Sequence, residues 1–343
     1  MCGIVGYVGA RDATPIILSG LKRLEYRGYD SAGLAVISDN GKIDLRRDSG
    51  KLSRLQSLVR EQPLNGHIGI GHTRWATHGE PSQRNAHPHV GAAGDVVLVH
   101  NGIVENFLEL KDELRAEGVE FKSDTDTEVI VQLVERNLAG GQSLEEAVRR
   151  SVGQLMGANA VVVISPREPD KIVAARIGNA GGVAVGVGKD EMFVASDIPA
   201  VLDHTREMAF LEPGWMTVVT HNAYQMQTLA GEPLTVGAQN IPWDPVSAEK
   251  GAYKHFMQKE IHEQVRSITD TIGGRIDFSS GSVSLPDLNL TPAFAQRIRR
   301  IVITACGTAA HAGMVGKILI EALARIPVEL SIASEFRYAD PIV

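Results

Sequence analysis

Met1-Cys2-Gly3-Ile4-Val5-Gly6 opens the chain, and its β-branched residues and glycines predict a short first strand that ends near Val8. Removal of Met1 would leave Cys2 with a thiol and a free α-amine on one residue. A thiol with a pKa near 8.5 is mostly protonated at neutral pH, and an α-amine with a pKa of about 7.7 to 8.0 can accept its proton. Cys2 would then be a nucleophile that carries its own base. The alternative is a small buried residue that opens a strand, and position alone does not decide between the two.

After this strand, the spacing of apolar residues predicts helices that alternate with short strands. Helices are predicted from Pro15, across 52–60, from Phe107, from a capping box at Thr125 to Glu128, and from Leu144. Strands are predicted at 33–37, 42–46, 67–75, 96–100, 160–165, 172–177, 182–187, 192–195, 216–220 and 224–228. Many short strands between turns favour antiparallel sheets, and the helices between them indicate a layered α+β domain.

The length of 343 residues predicts more than one domain, because single cores rarely exceed about 250 to 300 residues. We predict a first domain over 1–230, a Gly- and Pro-rich linker over 231–252, and a different region over 253–343. In that last region a strand at 301–305, a helix at 309–325 and a strand at 328–332 predict the opening of a parallel-sheet domain. We expect the chain to end before such a domain could close.

The composition favours small metabolites as ligands. The formal net charge is -7, from 34 basic and 41 acidic residues, without a basic block, so we expect neither a nucleic-acid nor a membrane partner. Cys2 and Cys306 are the only cysteines, too few for a disulfide framework and typical of a reducing compartment. No stretch of the sequence approaches 18 consecutive apolar residues, and the first residues lack the basic flank and apolar core that are typical of a signal peptide. We therefore expect a cytoplasmic protein.

The polar segment His72-Thr73-Arg74-Trp75-Ala76-Thr77-His78-Gly79-Glu80-Pro81 follows a predicted strand. Arg74 could form a bidentate ion pair with an α-carboxylate, and Thr77 or His78 could complete the hydrogen bonds to a small zwitterion. The alternative is a polar strand end whose charges are simply solvated.

Two further positions suit the chemistry of an amide. The Asn101 side chain and the Gly102 backbone N–H could form an oxyanion hole, although Asn-Gly is also a common turn. Asp126 could bind an ammonium group, although a helix dipole favours a carboxylate there whatever its role. Asp124 is an equal candidate from the residues alone.

Several histidines invite a metal hypothesis, namely His72, His78, His87 and His89. The segment has no helical HxxxH motif and no cysteine pair, so we predict no metal site. We expect these histidines to hydrogen-bond their own loop to itself.

Taken together, these segments resemble the class II, N-terminal-nucleophile glutamine amidotransferases. The resemblance is carried by Cys2-Gly3-Ile4, by Arg23-Leu24-Glu25-Tyr26-Arg27-Gly28-Tyr29-Asp30-Ser31-Ala32-Gly33, by 72–81 and by His255-Phe256-Met257-Gln258-Lys259-Glu260-Ile261. Two of these stretches, 23–33 and 72–81, are typical of the branch that aminates fructose 6-phosphate in a sugar-isomerase (SIS) domain. The resemblance implies an αββα sandwich of antiparallel sheets, followed by the incomplete N-terminal part of an α/β SIS domain.

The resemblance also implies a role for each candidate residue. Cys2 would attack L-glutamine and form a thioester, with Asn101 and Gly102 as the oxyanion hole. Glutamine would be held by four side chains, Arg74, Thr77, His78 and Asp126. Asp126, rather than Asp124, would bind the α-amine, and Trp75 would gate the passage of ammonia.

For the second domain the resemblance implies a fructose 6-phosphate site near Cys306-Gly307-Thr308-Ala309, where a helix N-terminus could bind phosphate. Ala309 replaces the serine usual in the family, so Thr308 would act without that hydroxyl. We expect this chain to perform the glutaminase half alone, without a cofactor, and the full-length family enzyme to be a homodimer. The alternatives are another class II amidotransferase with a different acceptor, and a non-catalytic sugar-phosphate sensor.

Overall fold

The computed structural model describes residues 2–242, 253–285, 288 and 291–342. In this part of the chain two compact units are distinguished, one up to Lys259 and one from Glu260. Met1 and residues 243–252 of the predicted linker lie outside the described residues. None of the described helices combines the length and the apolar character that crossing a membrane requires.

The elements of the first unit alternate as the periodicity predicts. Its strands are β1 (Gly3–Gly9), β2 (Ser31–Ile37), β3 (Ile43–Ser49), β4 (Ile68–Arg74), β5 (His89–Val90), β6 (Val97–Gly102), β7 (Asn159–Ile164), β8 (Ile172–Ile177), β9 (Ala184–Val187), β10 (Glu191–Ala195), β11 (Glu207–Phe210), β12 (Trp215–Val219), β13 (Tyr224–Thr228), β14 (Pro233–Leu234) and β15 (Gln239–Asn240). Its helices are α1 (Ala13–Arg23), α2 (Leu52–Glu61), α3 (Phe107–Ala116), α4 (Thr127–Ala139) and α5 (Leu144–Val152), and α6 (Phe256–Ile272) begins in it.

Within residues 2–242 these strands form two antiparallel sheets. One has eight strands in the order β15-β11-β9-β10-β1-β4-β2-β3, and the other has seven in the order β14-β13-β12-β8-β7-β6-β5. β1 is a central strand, hydrogen-bonded to β10 on one side and to β4 on the other. Cys2, which directly precedes β1, is therefore anchored at the end of a central strand.

The apolar side chains form three layers. In β1, Ile4 and Val8 face the other sheet, whereas Val5 and Tyr7 face the opposite side and pack with residues of α1 and α2. A third cluster joins the seven-stranded sheet to α3, α4 and α5. This alternation at period two buries both faces of each sheet. The predicted α+β fold with an αββα order of layers is confirmed.

The predicted capping box at Thr125 to Glu128 is wrong. α4 begins at Thr127, and Asp126 is its N-cap without a side-chain capping bond. The buried Glu128 carboxylate instead accepts the Ser123 N–H at 2.6 Å. The Glu128 carboxylate is thus hydrogen-bonded to the loop before the helix, so it does not accept the backbone N–H of Thr125 as a capping box would require.

The predicted linker over 231–252 contains two short strands. β14 pairs with β13 and β15 pairs with β11, so Pro233–Leu234 and Gln239–Asn240 lie at the edges of the two sheets. Strands of two residues are too short to show a period in the sequence. The prediction also missed β11, which lies next to β9 in the eight-stranded sheet.

The second unit contains the predicted parallel pair. Its elements are β16 (Ile276–Asp277), β17 (Ser282–Val283), α7 (Pro292–Ala295), β18 (Ile301–Ala305), α8 (Gly307–Leu323), β19 (Val328–Ile332) and α9 (Ala333–Tyr338). β18 and β19 are parallel, with α8 as the connection between them. The predicted strand–helix–strand unit is confirmed.

The packing of the seven-stranded sheet on its helices can be tested with a matched pair of leucines. Leu98 in β6 is fully buried in the third cluster, so Leu98→Ala should lower the free energy of unfolding by about 2 to 5 kcal/mol. Leu108 on α3 is 65% exposed, and Leu108→Ala should change it by at most about 0.5 kcal/mol. Urea unfolding followed by circular dichroism measures both. Equal midpoints for the two variants would contradict this packing.

Candidate active site

Cys2 lies among polar groups at the end of β1. The Trp75 N–H donates to its Sγ at 3.1 Å. Arg27 Nη1 and Asn101 Nδ2 approach the Cys2 carbonyl oxygen at 3.3 and 3.4 Å. The thiol is only partly buried and stands outside the three apolar clusters. These surroundings differ from those of a cysteine that simply fills a core.

The local environment keeps the resting thiol protonated. Burial raises the pKa of the Cys2 thiol, and the opposing effects of the Trp75 N–H and of Arg74 are smaller. Because the thiolate is the reactive form, a thiol with a raised pKa needs a base close by.

Asn101 and Gly102 end β6, where they pair with β7 as extended backbone. They therefore do not form the two-residue turn that was the alternative. Gly102 has a φ of 138°, and a Cβ at this position would come 2.2 Å from the Ala158 carbonyl oxygen. Only glycine fits there. The Asn101 amide places Oδ1 3.0 Å from His72 Nε2 and directs Nδ2 toward Cys2.

Arg74 is the last residue of β4 and is only 3% exposed. Its Nη2 donates to the carbonyl oxygens of His78 and Gly79 and thereby closes the loop that follows the strand. Burial lowers the pKa of its guanidinium, against the attraction of Asp30, Cys2 and Asp126. Its buried Nη1 has no hydrogen-bond partner within the described residues. A buried donor of this kind is suited to a bound anion.

The structure distinguishes the two candidate aspartates. Asp126 is 3% exposed, accepts the Val104 N–H at 2.8 Å, and places Oδ1 3.9 Å from His78 Nδ1. Asp124 is a surface residue that forms an ion pair with Arg84. Asp126 is therefore the buried aspartate of the two, and its charge attracts the guanidinium of Arg74.

The remaining candidates lie at the rim of this group or in the second unit. Trp75 is 55% exposed, and its ring covers Gly28 so closely that a Cβ there would approach it to 2.6 Å. Thr77 is exposed on the same loop. Thr308 and Ala309 are exposed at the start of α8.

We predicted from the sequence that the histidines hydrogen-bond their own loop to itself, and this prediction is wrong. His87 Nε2 and His100 Nδ1 both contact Thr127 Oγ1, at 3.0 and 2.9 Å, and His89 Nε2 contacts Thr125 Oγ1 at 3.1 Å. Burial lowers the pKa of each of them, and that of His72 to about 3. Among the described residues no group of three or more His, Cys, Asp or Glu side chains is placed to hold a metal ion.

Sequence reasoning missed three residues that support Cys2. Arg27 donates to the Cys2 carbonyl and to Ser196 Oγ, and Ser196 Oγ accepts the Ile4 N–H at 2.9 Å. The Asp30 carboxylate accepts the Ala76 N–H. Arg27 and Asp30 lie within the stretch 23–33, which offered a signal. Ser196 offered none, because the pairing of β10 with β1 is not visible in the sequence.

Comparison with known sequences identifies relatives of the chain. Residues 59–228 match the family described as the glutamine amidotransferase domain. Over its whole length the chain is 49% identical to the glutamine–fructose-6-phosphate aminotransferase [isomerizing] of Symbiobacterium thermophilum and 48% identical to that of Thermus thermophilus. It covers 56% and 55% of these proteins, so the chain spans about half the length of the curated relatives it matches.

Two solved structures share its fold. An allosteric regulatory enzyme of purine biosynthesis matches with a TM-score of 0.58 and 26% identity, over 66% of this chain and 49% of that one. The glutamine phosphoribosylpyrophosphate amidotransferase of B. subtilis matches with a TM-score of 0.61 and 19% identity, over 100% of this chain and 71% of that one. At 19% identity the second likeness shows the fold alone.

Buried His72 makes stability depend on pH. Its pKa is about 3 in the folded protein, whereas an unfolded histidine titrates near 6.5. Between these values the unfolded chain binds more protons, so stability falls as the pH is lowered. From pH 6.5 to 5 this group should remove about 2 kcal/mol of unfolding free energy.

Urea unfolding of wild type and His72→Gln at both pH values measures this contribution. The variant should lose less stability on acidification, because glutamine does not titrate. The same loss in both proteins would show that His72 is not held neutral by burial.

Proposed function

Because the chain belongs to the glutamine amidotransferases, whose domain it carries, we propose that its first unit hydrolyses L-glutamine to glutamate and ammonia through a thioester on Cys2. One observation supports this most. Asn101 Nδ2 lies 3.4 Å from the Cys2 carbonyl oxygen, and Arg74, whose charge is attracted by Cys2 and Asp126, keeps a buried Nη1 without a hydrogen-bond partner among the described residues. These groups match an α-amino acid with a side-chain amide. The nucleophile and the oxyanion donor suit the amide carbon and oxygen, the cation suits the α-carboxylate, and the anion suits the α-ammonium group.

The first step is the attack of sulfur on the amide carbon of glutamine. We propose that processing leaves Cys2 as the first residue, so that its α-amine takes the proton from the thiol. The amine then passes this proton to the leaving nitrogen, the carbon–nitrogen bond breaks, and ammonia departs. The raised pKa of the thiol fits this scheme, because the sulfur is protonated until the base acts.

Two donors are proposed to stabilise the charge on the carbonyl oxygen. Asn101 Nδ2 already points toward Cys2, and Gly102, where only glycine fits, would supply its backbone N–H as the second donor. Such a donor accounts for about 10²- to 10³-fold in rate when it is aimed at the developing oxyanion. Water then attacks the thioester carbon, glutamate is released, and the thiol regains its proton.

The amino-acid end of the substrate is proposed to bind between Arg74 and Asp126. Arg74 Nη1 would donate to the α-carboxylate, and Asp126 would accept from the α-ammonium group. Thr77 and His78 lie on the loop that Arg74 closes and would complete the enclosure. Exposed Trp75 would control the exit of ammonia at the rim.

The larger activity is also a proposal, since the relatives are about twice as long as the chain. Their name indicates that the ammonia serves to aminate fructose 6-phosphate. Thr308, at the start of α8, would contact that sugar phosphate beside Ala309. We further propose that the protein is cytoplasmic and has no nucleic-acid or membrane partners, which fits two free cysteines and a net charge of -7. The homodimer is proposed for the full-length family enzyme.

The two cysteines provide a matched test of the nucleophile. Cys2→Ala should lower glutamate release from glutamine by about 10³-fold or more, because no other group supplies the sulfur. Cys306→Ala changes an exposed thiol in the second unit and should leave the rate unchanged. A coupled glutamate assay measures both. Equal rates for Cys2→Ala and wild type would overturn the proposed mechanism.

The two aspartates provide a matched test of substrate binding. Asp126→Asn removes the charge proposed to hold the α-ammonium group and should raise KM for glutamine about tenfold or more. Asp124→Asn changes a surface carboxylate already paired with Arg84 and should have little effect. Steady-state kinetics of the two variants distinguishes them. A larger KM effect for Asp124→Asn would reverse the assignment.

A further inference from the structure

His72 connects the two sheets beside the proposed nucleophile. It lies on β4 in the eight-stranded sheet, opposite Ile4 of β1, and is completely buried. Its Nε2 lies 3.0 Å from Oδ1 of Asn101, which belongs to the seven-stranded sheet. Because Ile4 belongs to β1, which Cys2 directly precedes, the bond relates the strand next to the thiol to the strand that carries the amide.

The Asn101 side chain has two ends with opposite hydrogen-bonding character. Oδ1 faces His72, and Nδ2 faces the Cys2 carbonyl oxygen at 3.4 Å. Rotation of the amide by half a turn would set Nδ2 against a donor on His72 and aim Oδ1 at the reacting centre. That orientation would repel a developing oxyanion instead of stabilising it.

The surroundings of His72 keep a single proton on its ring. The rings of His72 and His87 are 4.3 Å apart between centroids, and Arg74, the second residue after His72, adds positive charge. A positive charge on the His72 ring would be unfavourable beside either neighbour, because the site is buried. A neutral imidazole whose Nε2 faces an amide oxygen carries its proton on that nitrogen.

We propose that His72 is a positioning residue, whose Nε2–H holds the Asn101 amide with Nδ2 directed at the oxyanion. The inference rests on the proposed glutaminase function for its catalytic consequence. The orientation of Asn101 itself does not depend on that function.

The kinetic test compares three variants. His72→Phe keeps a ring but removes the donor, and it should lower kcat for glutamine about tenfold or more with little change in KM. His72→Gln retains an N–H donor and should recover most of kcat. His89→Phe alters an equally buried histidine that contacts Thr125 rather than Asn101, and it should leave kcat much closer to wild type.

A double-mutant cycle separates positioning from a general effect on the fold. In an Asn101→Ala background, His72→Phe should cause no further loss of kcat, because the group that it positions is gone. Full additivity of the two losses, or equal losses for His72→Phe and His89→Phe, would overturn the proposal.

A second measurement needs no catalysis. Nitrogen-15 NMR of the unmodified protein should show neutral His72 protonated at Nε2, and His72→Phe should shift the Asn101 side-chain amide signal more than His89→Phe does. Protonation at Nδ1 in the unmodified protein would overturn the inference even if a variant failed to fold. An unshifted Asn101 signal in folded His72→Phe would overturn it as well. Absence of glutamine hydrolysis by wild type would refute the proposed function, and these spectra would still decide the role of His72.

Discussion

The pairing of β1 with β4 is the interaction on which the rest of the site depends. Its register sets Gly3 opposite Thr73, which leaves Cys2 next to Arg74 and Trp75 at the end of the ladder. A Cβ on Gly3 would come 2.7 Å from Thr73 Oγ1, so the close approach of the strands requires glycine there. Because β1 is central and both its faces are buried, a slip by one residue would expose Ile4 or Val5 to the wrong layer.

The second sheet completes the site through polar side chains in a buried layer. Asn101 approaches Cys2 from β6, and Thr127 joins the histidines at 87 and 100 to the start of α4. Neutral imidazoles suit this layer, because they offer one donor and one acceptor without the desolvation cost of a charge. Asp126 stands next to Thr127 and is thereby held at a fixed place relative to the strand that carries Asn101.

Much of the fold could be predicted from the sequence, because long elements carry a clear period. The amphipathic spacing of Ile17 and Leu21, and the strand–helix–strand pattern from Ile301, both appear in the structure. Two-residue edge strands such as Pro233–Leu234 could not be predicted, since they are too short for a period. The capping pattern at Thr125 failed because a tertiary contact to His89 and a contact within the loop to Ser123 replaced the capping bonds.

The candidate residues were found through resemblance more than through physical reasoning. Nothing in the sequence alone separates Asp126 from Asp124, since the difference lies in burial and in the position of Arg84. The histidines were considered as metal ligands, whereas their actual partners are hydroxyls and an amide contributed by a strand, a loop and a helix that are distant in the sequence. Such partners depend on how sheets stack, which local patterns do not reveal.

The central claim is that Cys2, freed of any preceding residue, forms a thioester with glutamine. It is tested most directly by quenching the protein with acid during turnover and mapping its peptides by mass spectrometry. The account predicts a peptide that begins at Cys2 and carries a γ-glutamyl group on its sulfur. A peptide that retains Met1, or a γ-glutamyl group found only on Cys306, would contradict it.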